Sequence, residues 1–284
     1  MSPAILDILD AAQARLAGVD SPRLSAELLV ARVLGCSRTD LILDRDRTPT
    51  EAERDGIEAL LARREQGEPV AYILGEKEFY GLDFAVTPDV LIPRPESEHI
   101  VERIEAVFPK GANFRFADLG TGSGILAVII CALFPGASGV AVDISPAALK
   151  VAESNARRHG VAGRLSFQQA DFTKQLFEPE AFDLVVSNPP YVTEGEFAAA
   201  SPEVTAFEPT GALVGGVDGL TLIRDMLPRV EAMLVSGGQF LMEIGCGQAG
   251  EMKKIMTQDC TRFGGVMILR DLAGLDRVVA ARKL

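Results

Sequence analysis

Two short stretches hold residue types whose spacing can do chemistry. The first, "DLGTGSG" at 118–124, sets an acid before three glycines and ahead of an apolar helical run. Glycines 120, 122 and 124 let the backbone turn sharply and approach a ligand, and the N-terminus of the next helix offers unpaired N–H groups. That is a nucleotide-type site. A dinucleotide fingerprint places its third glycine one residue later, where this chain has Ile125. The G-x-G-x-G spacing therefore points away from NAD and toward S-adenosylmethionine, bound along Gly120, Thr121, Gly122, Ser123 and Gly124.

The second stretch is "SNPPY" at 187–191, directly after the apolar strand pattern "FDLVV". An amide or exocyclic amine nitrogen is a poor nucleophile because its lone pair is delocalised. If the Asn188 side-chain oxygen and the Pro189 carbonyl both accept hydrogens from one NH2 group, they orient that nitrogen and enrich its electron density. Pro189 and Pro190 hold the corner rigid, so little ordering is left for the reaction to require, and Tyr191 offers a ring to pack on the planar group. The expected catalytic set is Asn188, Pro189 and Tyr191. No strong general base is implied.

Between these stretches lie further candidates for the cofactor. Asp143 closes the second strand pattern about twenty residues beyond the glycines, where a carboxylate that accepts both ribose hydroxyls is expected. "ADF" ends the third, with Asp171 offered to an adenine amine and Phe172 to the adenine face. Asn188, at the end of the strand beside the first, completes the cofactor set.

Alternating elements must position these residues. From 114 onward, strand patterns alternate with helical ones, including "PAALKVAESNARRHG" behind an expected Ser145 cap and Pro146. Two strands follow near 265–269 and 276–281. This implies an α/β domain, doubly wound and Rossmann-like, with a mainly parallel sheet covered on both faces and its ligand at the strands' carboxyl ends. Residues 1–75 read instead as short helices, a small N-terminal docking domain. Ser21 with Pro22 is expected to cap one helix that Gly35 ends, and Thr50 with Glu53 to form a capping box. Residues 76–95 read as a hairpin around Gly81 and a stiff connector, since each residue before prolines 88, 93 and 95 is pushed to an extended conformation. The catalytic domain spans 96–284.

Composition bounds the partners. The formal net charge of -12 over 284 residues would repel a phosphate backbone, so a protein or small-molecule partner fits better than nucleic acid. The longest apolar run, "ILAVIICALF" at 125–134, is far short of the roughly 20 residues a bilayer requires. No basic n-region opens the chain, so the expectation is a cytoplasmic, monomeric protein without membrane contact. Four scattered cysteines and two histidines, His99 and His159, make a disulfide framework or a metal site unexpected.

Beyond single motifs, the chain resembles the NPPY-type amino-methyltransferases, and more narrowly the release factor glutamine methyltransferase family (PrmC/HemK). "PVAYILGEKEFYG" at 69–81, "LIPRPESE" at 91–98, "DLGTGSG", "SNPPY" and "FEPTGALVGGVDGL" at 207–220 fall in that family's order. The resemblance implies a helical N-terminal domain joined by a hairpin to an S-adenosylmethionine-dependent domain. It implies methylation of the side-chain amide of the glutamine in the GGQ motif of class 1 peptide chain release factors. Carried over by position, it assigns cofactor contacts to 120–124, Asp143, Phe172 and Asn188, and substrate contacts to Asn188, Pro189, Pro190 and Tyr191. A ribosomal-protein glutamine and, less favoured, a nucleic-acid adenine N6 are the alternative substrates. A non-catalytic adaptor would show a degraded NPPY, and here it is intact. The chain's own "GGQ" at 237–239 reads as a turn between a helix and a strand.

Overall fold

The computed structural model describes residues 2–174, 177–258, 260 and 262–284. Its contacts divide the chain into two units, one of Met1–Glu76 with Ser201–Phe207, the other of Lys77–Ala200 with Glu208–Leu284.

The first unit is helical. α1 (Ile5–Arg15), α2 (Pro22–Leu34), α3 (Arg38–Leu43), α4 (Glu51–Glu65) and α5 (Val70–Leu74) bury Ile5, Leu9, Leu29, Leu41, Ile57 and Leu61 in one apolar cluster. Thr50 and Glu53 form the expected capping box, the hydroxyl accepting from the Glu53 N–H and the carboxylate from the Thr50 N–H. The start of α2 differs from expectation. Ser21 holds the N-cap position but lies in the left-handed region at φ 49°, and its hydroxyl makes no capping hydrogen bond. A residue before proline is steered away from the right-handed helical region, so Pro22, not the serine side chain, sets this first turn. Gly35, at φ 65°, ends α2. One charge is fully enclosed here. Arg64 donates to the Ser25 hydroxyl and to the Asp20 and Glu68 carbonyls, and pairs with Glu203 at 2.9 Å.

A two-residue hairpin follows, β1 (Glu76–Phe79) and β2 (Leu82–Ala85). Tyr80 and Gly81 both have positive φ, the turn whose twist suits paired strands. Then come α6 (Glu98–Val107), β3 (Arg115–Leu119), α7 (Ile125–Leu133), β4 (Ser138–Asp143), α8 (Pro146–Arg158), β5 (Leu165–Gln169), β6 (Phe182–Ser187), α9 (Glu194–Ala199), α10 (Pro202–Phe207, grouped with the first unit), α11 (Thr221–Met233), β7 (Leu234–Glu243), α12 (Ala249–Gln258), β8 (Phe263–Arg270) and β9 (Asp276–Lys283).

The seven strands β3 to β9 form one sheet in the order β5-β4-β3-β6-β7-β9-β8. Pairing is parallel from β5 through β7 and antiparallel in β7–β9 and β9–β8. Strand alternation divides the core between the two faces. Phe116, Leu184, Val186 and Leu241 pack with α6 and α7, while Ala117, Val185, Phe240 and Met242 pack with α11 and α12. The chain enters the sheet at β3, winds outward through β4 and β5, and crosses back to β6 on the other side of β3. That reversal opens a crevice at the carboxyl ends of β3 and β6, where α/β sheets bind their ligands.

The 237–239 "GGQ" is not a turn between helix and strand. β7 starts at Leu234, immediately after α11, and the two glycines lie inside it. The register against β6 shifts there, from Phe182↔Leu234 to Leu184↔Gln239, and Gly237 takes φ 84°. β7 advances five residues there while β6 advances two, an irregularity in the ladder at which Gly237 supplies the left-handed backbone that glycine favours.

Candidate active site

The crevice is a cavity of about 550 Å3, inside the range of roughly 300–1,000 Å3 usual for small-molecule sites. Gly120, Thr121, Gly122 and Ser123 line it after β3, Asp143 at the end of β4, Phe172 after β5, and Asn188 with Pro190 after β6. Sequence-expected residues from four strand ends therefore meet in one place. Gly124, Pro189 and Tyr191 do not line it. Gly124 caps α7 at φ 82°, and a Cβ there would lie 3.0 Å from the Ala152 Cβ. Its missing side chain lets α7 pack against α8.

The glycine loop folds over the end of β4, with the Gly120 and Thr121 N–H groups both donating to the Val142 carbonyl. The Gly122 N–H donates to Asp143 Oδ2 and the Ser145 N–H to Asp143 Oδ1, each at 2.9 Å. Burial raises the Asp143 pKa, and these donors oppose the rise. Behind the loop, the buried Asn155 amide donates to the Ser123 carbonyl and brackets Ala85 through both its N–H and C=O, fastening the hairpin to the loop.

Asp118, the acid that opens the glycine motif, is the residue to which the sequence assigned no role of its own. It is 1% exposed, and its Oδ2 accepts from the Thr121 hydroxyl at 2.7 Å and the Ala127 N–H at 3.2 Å. Its Oδ1 is buried without a hydrogen-bond partner. Burial pushes the carboxyl up to about 7, against those two donors and with a smaller push from the Asp143 charge. The signal was present in "FADLG", a carboxylate set among apolar residues in a strand of which only Arg115 is exposed. A buried acid with one bare oxygen on a cavity wall lacks a cationic or N–H partner.

Asp171, expected to face an adenine amine, has other engagements. Its Oδ1 accepts from the Thr173 N–H and hydroxyl, and Lys174 pairs with it at 2.8 Å. The lysine and the hydroxyl hold its pKa down to about 2. The carboxylate fixes a turn, and the residue lines the cavity beside Phe172.

The corner after β6 is braced from several sides. The Ser187 hydroxyl donates to the Leu119 carbonyl at 2.7 Å, tying the two strand ends together. Asn188 Nδ2 donates to the Ser97 hydroxyl at 3.0 Å, and Tyr191 Oη donates to Glu243 at 2.9 Å. Burial and the Glu243 charge push the Tyr191 pKa up, so it stays a neutral phenol. The loop containing "GGVDG" presses on the corner's backbone. A Cβ on Gly215 would lie 2.4 Å from the Pro190 carbonyl, and one on Gly219 2.2 Å from that of Tyr191. Gln248 Nε2 also donates to the Tyr191 carbonyl at 3.0 Å. None of Ser97, Glu243 and Gln248 belongs to a motif of the corner itself, which is why spacing arguments miss them. On the connector, Arg94 lines the cavity and pairs with buried Glu208, which also accepts from the Ile92 N–H.

Among the described residues no cluster of His, Cys, Asp and Glu suits a metal ion, and no helix is long and apolar enough to cross a membrane.

Comparison with known proteins agrees with this geometry. The PrmC N-terminal domain model matches residues 7–75, and a methyltransferase domain model matches 110–275. The release factor glutamine methyltransferase of Nitratidesulfovibrio vulgaris is 47% identical over 94% of this chain and 90% of its own length. That of Geobacter sulfurreducens is 40% identical over 98% and 96%. A solved methyltransferase from Pyrococcus furiosus, 18% identical, shares the fold with a TM-score of 0.53 over 78% of this chain and 96% of its own. The chain belongs to the release factor glutamine methyltransferase family.

Proposed function

We infer that this chain transfers a methyl group from S-adenosylmethionine to the side-chain amide nitrogen (N5) of the glutamine in the GGQ motif of class 1 peptide chain release factors. The observation that carries the reading is the meeting of two strand ends in one cavity, Asp118 within β3 with Gly120 to Ser123 after it, and Asn188 after β6.

S-adenosylmethionine supplies an electrophilic methyl carbon on a sulfonium centre. The cavity residues fit such a molecule. The bare Oδ1 of Asp118 is a buried acceptor without a partner, and the amino-acid ammonium of the cofactor would supply one. Asp143, steadied by two backbone N–H groups, would accept from the ribose hydroxyls, and the exposed Ile144 and the Phe172 ring would offer apolar surface to the adenine. Asn188 Oδ1 and the Pro189 carbonyl accept the two hydrogens of the incoming carboxamide, orienting its nitrogen. Tyr191, a neutral phenol, packs and braces without taking a proton. The prolines and the pressed glycine loop hold these acceptors still, so their arrangement costs no ordering when the substrate arrives.

The partner is a protein, engaged by a monomer in the cytoplasm. A net charge of -12 disfavours a nucleic-acid backbone. Incubation with labelled S-adenosylmethionine and a purified class 1 release factor, followed by mass mapping, tests the reading. Label on the glutamine of the factor's GGQ motif is the expected outcome. In parallel incubations with ribosomal protein and with adenine-containing nucleic acid, label on either of these, with the factor untouched, overturns it.

A further inference from the structure

We propose that Glu243 is a positioning residue: acting through Ser97, it fixes the Asn188 carboxamide with Oδ1, rather than Nδ2, toward the cavity. The inference rests on the methyl-transfer reading and adds to it a reason for the direction in which the Asn188 amide points.

Asn188 can be useful to an incoming carboxamide only if it presents its oxygen, since a side-chain NH2 would meet the substrate's NH2 donor to donor. Nothing in asparagine itself chooses between the two faces, because the planar amide is nearly symmetric in shape. The choice is made three residues deep. Glu243, at the end of β7, is 1% exposed, and an ionised carboxylate is an acceptor only. Two hydroxyls donate to it, that of Ser97 to Oε2 and that of Tyr191 to Oε1. Ser97 is itself fully buried, and its one proton is committed to the carboxylate. Toward Asn188 the serine oxygen can then only accept. The Asn188 contact at 3.0 Å must be made by Nδ2, and Oδ1 is turned the other way.

The carboxylate is therefore a polarity source for a two-step relay. Burial, with a smaller push from Glu96, raises its pKa above the ordinary carboxylate value, and the two hydroxyls and Arg277 oppose that rise. A glutamine at 243 has the same shape but offers one acceptor and one donor. One of the two hydroxyls then faces an N–H and must reverse. If Ser97 reverses, its proton points at Asn188, and the amide is free to turn its Nδ2 toward the cavity.

Glu243→Gln separates this role from packing. Turnover with saturating release factor and cofactor is expected to fall roughly 10- to 100-fold, the scale of a misoriented reacting group, with S-adenosylmethionine affinity within about twofold of wild type. The side-chain amide 15N–1H signals of Asn188, assigned by their loss in Asn188→Ala, are expected to shift and to exchange faster with solvent. Should Glu243→Gln fail to fold, Ser97→Ala carries the same expectations, and Ser97→Thr, which keeps the hydroxyl, should retain most turnover. Turnover within about twofold of wild type together with unmoved Asn188 signals, in either Glu243→Gln or Ser97→Ala, overturns the proposal. If the wild-type protein methylates no release factor, the methyl-transfer reading fails, and the Asn188 signals alone still decide the orientation.

Discussion

Both units bury charged side chains, and two of these, Arg64 and Asp118, are treated in opposite ways. Arg64 in the helical unit is 2% exposed, and each of its guanidinium nitrogens has a partner, from the Ser25 hydroxyl to the Glu203 carboxylate. Asp118 in the sheet unit is as deeply buried, yet one of its oxygens has none. A buried polar group left unpaired costs about 1–3 kcal/mol, and more when charged. A fully satisfied charge fixes structure. One left bare on a cavity wall spends stability, and the return on it has to come from a ligand.

The largest effect that tests this contrast is in the satisfied charge. Arg64→Ala strands Glu203, Ser25 and two carbonyls, and breaking a buried pair by removing one partner costs about 3–5 kcal/mol. Denaturant unfolding should show that loss, while calorimetry shows unchanged S-adenosylmethionine affinity. A weakened affinity without a stability loss would erase the distinction. Asn188 is an intermediate case, tied to Ser97 on one side and lining the cavity on the other. Asn188→Ala should leave stability nearly unchanged and cut turnover on the order of 100-fold or more, as for loss of one preorganised polar group. Near-wild-type steady-state rates at saturating substrate would remove the carboxamide from the chemistry.

The same contrast explains what the sequence reveals and what it hides. Gly120, Asp143 and Asn188 are legible because strand-end residues in a doubly wound sheet must project into one crevice, so spacing alone places them. Strand alternation likewise gives the two core faces, and the Thr50–Glu53 box gives the start of α4. Asp118 hides because a strand residue's burial depends on neighbouring strands that spacing does not describe. Ser97 and Glu243 meet across well over a hundred residues of chain, and no local pattern encodes such a contact. The 237–239 glycines mislead for a related reason, since a break in strand register and a turn can use the same left-handed backbone and only the partner strand distinguishes them. Ser21 shows the opposite error, a good capping residue overruled by the proline after it.

Asp143 sits between the two buried charges, with backbone donors on both oxygens and a face on the cavity. Asp143→Ala should weaken S-adenosylmethionine binding by roughly 2 to 3 kcal/mol, through loss of charge-assisted hydrogen bonds to the ribose. Calorimetry that finds unchanged affinity would leave Asp143 as a turn residue like Asp171.

The smallest effect, and the one whose sign is most informative, belongs to Asp118→Asn. The folded carboxyl titrates at about 7, above its ordinary 3.8. Between those values the folded protein keeps a proton that the unfolded chain has released, so this residue makes stability fall as pH rises from about 4 to about 7. Below that window it costs nothing, and above it the full cost of an unpaired buried anion is present. Asparagine cannot ionise, and its oxygen can still accept from Thr121 and Ala127. Its NH2 then occupies the unpartnered side, which offsets part of the gain. The variant without cofactor should accordingly trail wild type by about 1–2 kcal/mol at pH 5 and exceed it by about 1 kcal/mol at pH 8, while binding S-adenosylmethionine more weakly at both. Thermal unfolding measured across pH gives the answer as a difference between two curves. Curves that stay parallel from pH 5 to pH 8 would mean that the Asp118 carboxyl is already paired in solution, and the contrast with Arg64 would vanish.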